Sequence, residues 1–468
     1  MINSDTDGIL PFSSDLWYMV QVEMLPGTEK EEIMKQALKY LFGVRIPHAL
    51  GAIPEPRNKV MRLFTYEGIL ITLINNLVGS HNNLYAARLG AGDYELGLVT
   101  MLPQLVGMAV LIPGGILTDI MRNKRNMVTS ALFAVACVYV LIGFVPALGS
   151  YKLGGFLALL ALSSAPMTIY NVSWQAYFSD VVHPNGRNRI LAVRSSLSFL
   201  MGITITLTGG ALLSSASTNA EKIRLHQIFL WVAAALLLIQ VYVLKKIPAQ
   251  TDGERKTFSL VELKKAFVDL MHNRRFLGFV AVAIFFYLTW HIDWTLYFIG
   301  QTQYLGMNEA WLSYVNIANA IIQFLTMGIW SKINSRHGVR FAIIFGSLGL
   351  AFCPIGMILS TSIQTGNARL VFLIVNTIFN ITLATTTLNI LQCLLQVIPD
   401  SNKTLNISIY TALVMLSNGI MPFVGVSIYQ MMGADLRALH TIFWVIFVFR
   451  LIATGLWALR WWVLRREN

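Results

Sequence analysis

"GGILTDIMRNKRN", residues 114–126, separates two long apolar runs and sets one acid, Asp119, against Arg122, Lys124 and Arg125. A small residue such as Gly115 allows helices to approach closely, and an acid at a helix end facing basic side chains can form a charge-assisted contact. Short polar joints between apolar runs suit a chain that crosses a bilayer repeatedly, because in hydrocarbon each backbone group must be bonded within its own helix. Composition agrees. Of 468 residues 55% are hydrophobic and 12% are charged, whereas roughly a quarter of an ordinary soluble domain carries charge.

Runs of about 20 apolar residues, enough to span a bilayer, occur near 63–89, 96–118, 127–147, 153–178, 191–213 and 226–245. Six more lie near 276–301, 311–331, 341–360, 370–397, 405–430 and 439–460. The sequence therefore predicts an all-α integral membrane protein with twelve transmembrane helices. Basic residues accumulate on the cytoplasmic side. Placing both termini there, in the cell membrane, leaves only Arg88, Lys152, Lys222, Arg224, Arg369 and Arg437 outside and Arg450 within a span. This distribution absorbs most of the +12 net charge and leaves no reason to expect a nucleic-acid partner. Cys137, Cys353 and Cys393 fall in spans without metal-ligand spacing. They read as apolar filler, so neither a metal nor another cofactor is expected. No cleavable signal peptide is visible, and the first span is expected to serve as an anchor.

The spans divide into two sets of six. Residues 1–60 form a polar tail in which Thr28 and Glu31 make a capping box before a short amphipathic helix. Residues 61–246 form the first bundle. A cytoplasmic linker at 247–275 carries a second capping box, Ser259 with Glu262, and a basic amphipathic stripe of the kind that lies on a membrane surface. Residues 276–468 form the second bundle and a short tail. Two bundles joined by such a linker suit a carrier whose halves move around a midplane site.

The joint after the second span recurs six spans later as "GIWSKINSRHGVRF", residues 328–341, with Gly328, Arg336, Gly338 and Arg340 in similar places and Lys332 where the acid stood. The spacing Gly115, Asp119, Lys124 and Arg125 resembles the loop between the second and third helices of the major facilitator superfamily, usually written GxxxDRxGRRR. Ile120, Arg122 and Asn123 depart from that pattern. "WQAYFSDVVHPNGRNR", residues 174–189, is similar to the family's next cytoplasmic loop, through Asp180, Arg187 and Arg189. The resemblance implies a major facilitator fold whose first, fourth, seventh and tenth helices line a central cavity. It also implies a cytoplasmic latch that is broken and remade as the bundles rock. The Gly-Pro pair usual in the fifth helix of the family's proton-coupled drug antiporters is absent from "GITITLTGG", residues 202–210.

"ITLINNLVGSHNNLYAARL", residues 71–89, is unusually polar for a span. At 100° per residue Asn75, Asn76, Asn82 and Asn83 fall within a sector of about 120°, while His81 points elsewhere. An amide exposed to hydrocarbon lacks a partner at a cost of several kcal/mol, so this sector must face protein or water. In the fourth span Asn171 and Gln175 share a face beside Trp174. In the eighth Asn316 and Asn319 do so, and in the tenth Asn376 and Asn380. Two readings are open for each: a wet substrate cavity, to which Trp290 also contributes, or interhelical bonds worth about 0.6 kcal/mol each.

Glu67 and Asp293 are the acids inside spans, and such residues are functional candidates. Together with His291 they are candidates for proton coupling. Arg450, about 15 Å inside the membrane from Arg460, is an intramembrane charge whose partner the sequence does not identify. No catalytic constellation or ATPase motif is present, so an enzyme is not expected. The expectation is a monomeric secondary transporter of a small polar solute working by alternating access, with protons as coupling ion. The alternatives are an exporter of amphipathic compounds and a non-transporting receptor acting through the tail.

Overall fold

The computed structural model describes residues 55–121, 123–248, 268, 272–363, 366–398 and 403–466. The tail helix and nearly all of the linker helix expected from the sequence lie outside the described residues. Within them the chain folds into twelve long helices. α1 runs over Glu55–Val78, tightens to a 3₁₀ turn at Gly79–His81 and resumes at Asn82–Leu89. Then follow α2 (Asp93–Ile120), α3 (Lys124–Phe144), α4 (Lys152–Val181), α5 (Pro184–Ser215) and α6 (Asn219–Lys245). In the second half α7 runs over Arg274–His291, breaks, and continues as Trp294–Ile299 with a π turn at Gly300–Tyr304. α8 covers Glu309–His337, and α9 is split into Val339–Ala351 and Cys353–Ser362, with Pro354 opening its second piece. α10 joins Ala368–Phe379 to Leu383–Val397 through a 3₁₀ turn, and α11 (Lys403–Met431) and α12 (Leu436–Arg466) complete the bundle.

Nine stretches of the described residues are long and apolar enough to cross a membrane, one of them, Lys124–Val181, holding both α3 and α4. The helices that do not qualify are α1 and α8. In the N-terminal half α2 and α3 pack on α4, α3 also on α6, and α1 on α5 and α6. In the C-terminal half α9 packs on α12 and α10, while α7 packs on α11 and α12. The halves meet along two seams, α2 against α11 and α5 against α8.

Each half is pinned by a buried ion pair. In the first, Arg194 of α5 lies 3.2 Å from Glu67 of α1, and its guanidinium sits 4.5 Å from the Trp174 ring centre. Tyr170 of α4 donates its hydroxyl to the same carboxylate, and Gln240 of α6 donates to it at 2.9 Å. Four helices thus converge on one carboxylate with no exposed surface. Arg194 reaches it because Gly68 has no side chain: a Cβ there would lie 2.3 Å from Arg194 Cγ.

In the second half Arg450 of α12 finds the partner that the sequence did not identify. Its Nη2 donates to both oxygens of Asp293, at 2.8 and 2.7 Å. The break in α7 frees carbonyls at Thr289 and Trp290, and Arg450 donates to both, at 3.1 Å each. A third bond of 2.9 Å goes to Leu350 O, beside the break in α9. One guanidinium therefore ties two interrupted helices to α12. Unbonded carbonyls inside hydrocarbon are what a helix break would otherwise leave.

Removing either member of such a pair strands the other charge, at about 3–5 kcal/mol. Gly68→Ala should displace Arg194 and lower unfolding stability by a comparable amount. Gly278→Ala, where an added Cβ meets nothing within 4 Å, should leave it unchanged. Thermal unfolding of the purified variants measures the difference.

Candidate functional site: an amide-lined cavity between the halves

A cavity of about 500 Å³ opens between α1, α2, α3 and α4 of one half and α7 and α8 of the other. Its polar lining is Asn75, Ser80, Asn82 and Asn83 from α1, Thr100 and Gln104 from α2, Tyr139 from α3, Ser163 and Ser164 from α4, Gln301 from α7 and Asn316 from α8. None of the lining residues is a carboxylate, an amine, a guanidine or an imidazole.

Two groups of membrane asparagines and glutamines differ in what they touch. Among the described residues the side chains of Asn75, Asn82, Asn83, Gln104, Gln301 and Asn316 make no hydrogen bond to protein, and all six line the cavity. A second group is occupied. Asn76 donates to Thr72 O at 2.9 Å and accepts from Thr206 of α5 at 3.1 Å. Asn376 donates to Asn319 across the α8–α10 contact at 3.2 Å, and Asn380 donates back to Asn376 O at 2.8 Å. Asn334 and Asn389 repeat that bridge one level further along.

Several expected cavity residues are therefore corrected. Asn76 lies on the α1–α5 seam because its neighbour, not its helical phase, decides its role. Asn319, Asn376 and Asn380 hold α8 to α10. Trp174 is buried under Arg194 and stacked on Phe178, with ring centres 5.1 Å apart. Asn171 is exposed and Gln175 half-buried, and neither lines the cavity. Trp290 lines a second cavity, lower in α7, together with Trp294. His81 is buried away from the cavity, its Nδ1 3.2 Å from Leu77 O and its ring against His226 and Phe229.

His291 and Asp293 face apart. His291 Nδ1 lies 3.1 Å from Ser417 Oγ on α11, while Asp293 points to α12. Glu67 is enclosed by its three partners, Tyr170, Arg194 and Gln240.

Among the expected latch residues, Lys124, Asp180, Arg125 and Arg187 make contacts within the first half. Lys124 and Asp180 pair at 2.7 Å between the start of α3 and the end of α4. Arg125 donates to Lys245 O and Ile247 O at the end of α6, and Arg187 to Ser179 O and Val182 O. Gly115 faces Val172 of α4. Arg336 and Arg340 flank the tight turn at Gly338, where φ is +83°, at the same end of the molecule. Gly328 lies within α8, and the side chains of Asp119 and Arg189 lie outside what is described.

The opposite end holds a pair of contacts that sequence reading missed. Glu309, the first residue of α8, is gripped by Arg88 of α1 and by Lys222 of α6, the latter at 2.9 Å. Asp93, the first residue of α2, accepts from Gln303 of α7 at 2.9 Å and Gln430 of α11 at 2.6 Å. A carboxylate of each half is thus held by the other half. The signal was present as an internal repeat: "LGAGDYEL", residues 89–96, and "LGMNEAWL", residues 305–312, share Leu-Gly, an acid three residues after the glycine, and a final leucine. Gly90 and Gly306 both take positive φ, +101° and +59°, which ends one helix and turns the chain into the next. Gln104 and Gln301 were also missed. Gln104 is a lone amide in an apolar stretch, and Gln301 sits in the short polar turn Gln301-Thr302-Gln303; neither has the periodic companions that marked α1.

Two six-helix bundles around a polar cavity, with a carboxylate clasp across one mouth, define a membrane transport protein rather than an enzyme. The chain belongs to the major facilitator superfamily, whose family model matches residues 67–396. Its fold is similar to that of a bacterial homologue of the human lysosomal transporter Spinster in an inward-facing, unoccupied state. They are 14% identical with a TM-score of 0.63, over 87% of this chain and 97% of that one. It is similar to a D-xylose–proton symporter (14%, TM-score 0.63, 86% and 97% covered). It also matches a bacterial homologue of the iron transporter ferroportin, inward-facing (11%, 0.64, 86% and 98%). No curated protein sequence matches the chain significantly.

The two groups of amides should separate experimentally. Asn76→Leu and Asn376→Leu should each cost roughly 0.5–2 kcal/mol of stability, whereas Asn75→Leu and Gln104→Leu, which break no protein contact, should cost nothing. Denaturant titration in detergent reads this. At the clasped mouth, Glu309→Gln should make a cysteine placed at Asn75 react faster with a membrane-impermeant thiol reagent added from that side. The same rate in both proteins would remove the clasp's role in closure.

Proposed function

We propose that this chain is a secondary transporter of a small uncharged polar solute, working by alternating access between its two halves. One observation carries the reading: six amide side chains converge on a cavity of about 500 Å³ between the halves and are left without protein partners. Each amide offers both donors and an acceptor, which matches hydroxyl, amide or carbonyl groups of a solute. The absence of charge in the lining disfavours an ionic substrate, since an unpaired ion would bear its full desolvation cost. The proteins of similar fold include a D-xylose–proton symporter and a homologue of an iron transporter, so the cavity decides the chemistry.

Alternating access has support in the distribution of contacts. The two carboxylate clasps join the halves at one mouth, while Lys124, Asp180 and Arg125 at the other brace only the first half. By the Lys and Arg distribution the clasped mouth is the outer one, and the termini are cytoplasmic. Proton coupling is proposed on Asp293 and Glu67, each buried against an arginine whose charge a proton could release.

Uptake into liposomes, with ligands first found by thermal stabilisation, tests these points. Asn75→Leu, Asn82→Leu and Gln301→Leu should each weaken ligand binding about tenfold or more, while His81→Leu should not. Equal losses from all four would remove the amide cavity as the site. Asp293→Asn and Glu67→Gln should retain ligand exchange but lose acceleration by an imposed pH gradient. Uptake that ignores the gradient in the unmodified protein would end the coupling proposal.

A further inference from the structure

The second cavity, about 250 Å³, has a lining of different chemistry: Tyr287, Trp290 and Trp294 of α7, and mainly aliphatic side chains of α10 and α11. By itself it is smaller than the roughly 300–1,000 Å³ of small-molecule sites. It is not isolated, however. Gln104 of α2 lines both cavities, so the aromatic chamber adjoins the amide chamber at that residue. Its polar groups are few, and among them Asn418 Oδ1 of α11 is buried without a hydrogen-bond partner.

We infer that the two chambers form one bipartite site, and that the substrate is an uncharged amphiphile. Its polar head meets the amides of α1, α2, α7 and α8, and a short aryl or alkyl group lies between Trp290 and α11. This rests on the neutral-solute reading above and extends it by naming the second part of the substrate. The physical argument is complementarity. An aromatic chamber beside six unpartnered amides gains by burying apolar area, while the head supplies the hydrogen bonds that Gln104 and its neighbours lack. A purely polar solute would leave the aromatic chamber unused, and a purely apolar one would leave the amides unpaired.

The test uses the full chain in lipid nanodiscs and reads thermal stabilisation against ligand concentration. The probes are glucose, N-acetylglucosamine and uridine, each free and as its phenyl and hexyl derivative, with hexyl sulfate and hexylamine as charged counterparts. At least one neutral derivative is expected to act at a concentration about tenfold or more below its free head. Val414→Trp, which fills the aromatic chamber, should abolish that advantage while leaving the response to the free head. Should that variant not fold, Trp290→Ala enlarges the chamber and should shift the preference from phenyl to hexyl. Free heads that act as well as their derivatives, an advantage that persists in Val414→Trp, or an unchanged preference in Trp290→Ala would overturn the bipartite site and leave the neutral-solute reading standing. Stronger action by the charged pair would overturn the neutral-solute reading. No response to any probe would overturn both.

Discussion

Hydrocarbon supplies no hydrogen bonds, and that constraint sorts the polar residues of this protein. An amide in a membrane helix must bond to protein or meet water and solute, because an unpaired polar group costs several kcal/mol. Asn76 and Asn376 take the first course and hold helices together; Asn75 and Asn316 take the second and face a cavity. One residue type thus serves as fastener and as recognition group, and the neighbouring helix determines which. Two adjacent asparagines of α1 do opposite work for this reason.

The same constraint governs charge. Glu67 and Arg450 are nearly devoid of exposed surface, and each is surrounded by donors or acceptors matched to it. Their role in the architecture goes beyond neutralising one another. Arg450 satisfies carbonyls that the breaks in α7 and α9 would leave open, which lets these helices be interrupted inside the membrane. Glu67 draws α1, α4, α5 and α6 to a single point. Each half is consequently cross-linked through its own interior, while the seams between the halves run along α2 with α11 and α5 with α8.

The helices and their division into two sixes were legible in the sequence, because spans, joints and basic residues follow from the bilayer alone. The asparagine face of α1 was legible only in part. Phase separated His81 from Asn75 and Asn82, but it could not show that α5 stands beside Asn76. Nor could it register the 3₁₀ turn at Gly79–His81. The amides of α10 were periodic and still misleading, since a shared face says nothing about what it touches. Arg450 stood out as an anomaly, yet its partner lies 157 residues away, and no local pattern encodes that distance. The Leu-Gly-x-x-acid repeat was in plain view and needed only a comparison of the two halves.

That repeat gives the clasped mouth the logic of an isologous dimer interface, in which the same position on each partner grips the other. Asp93 and Glu309 are the first residues of the second helix of their respective halves, and each reaches across to the opposite bundle. The grips differ in kind, ionic at Glu309 and amide at Asp93, and one donor of each comes from a non-equivalent helix, α6 and α11, so the internal twofold holds for the two acids and not for what grips them. Ionic strength therefore acts on one side of this twofold and hardly on the other.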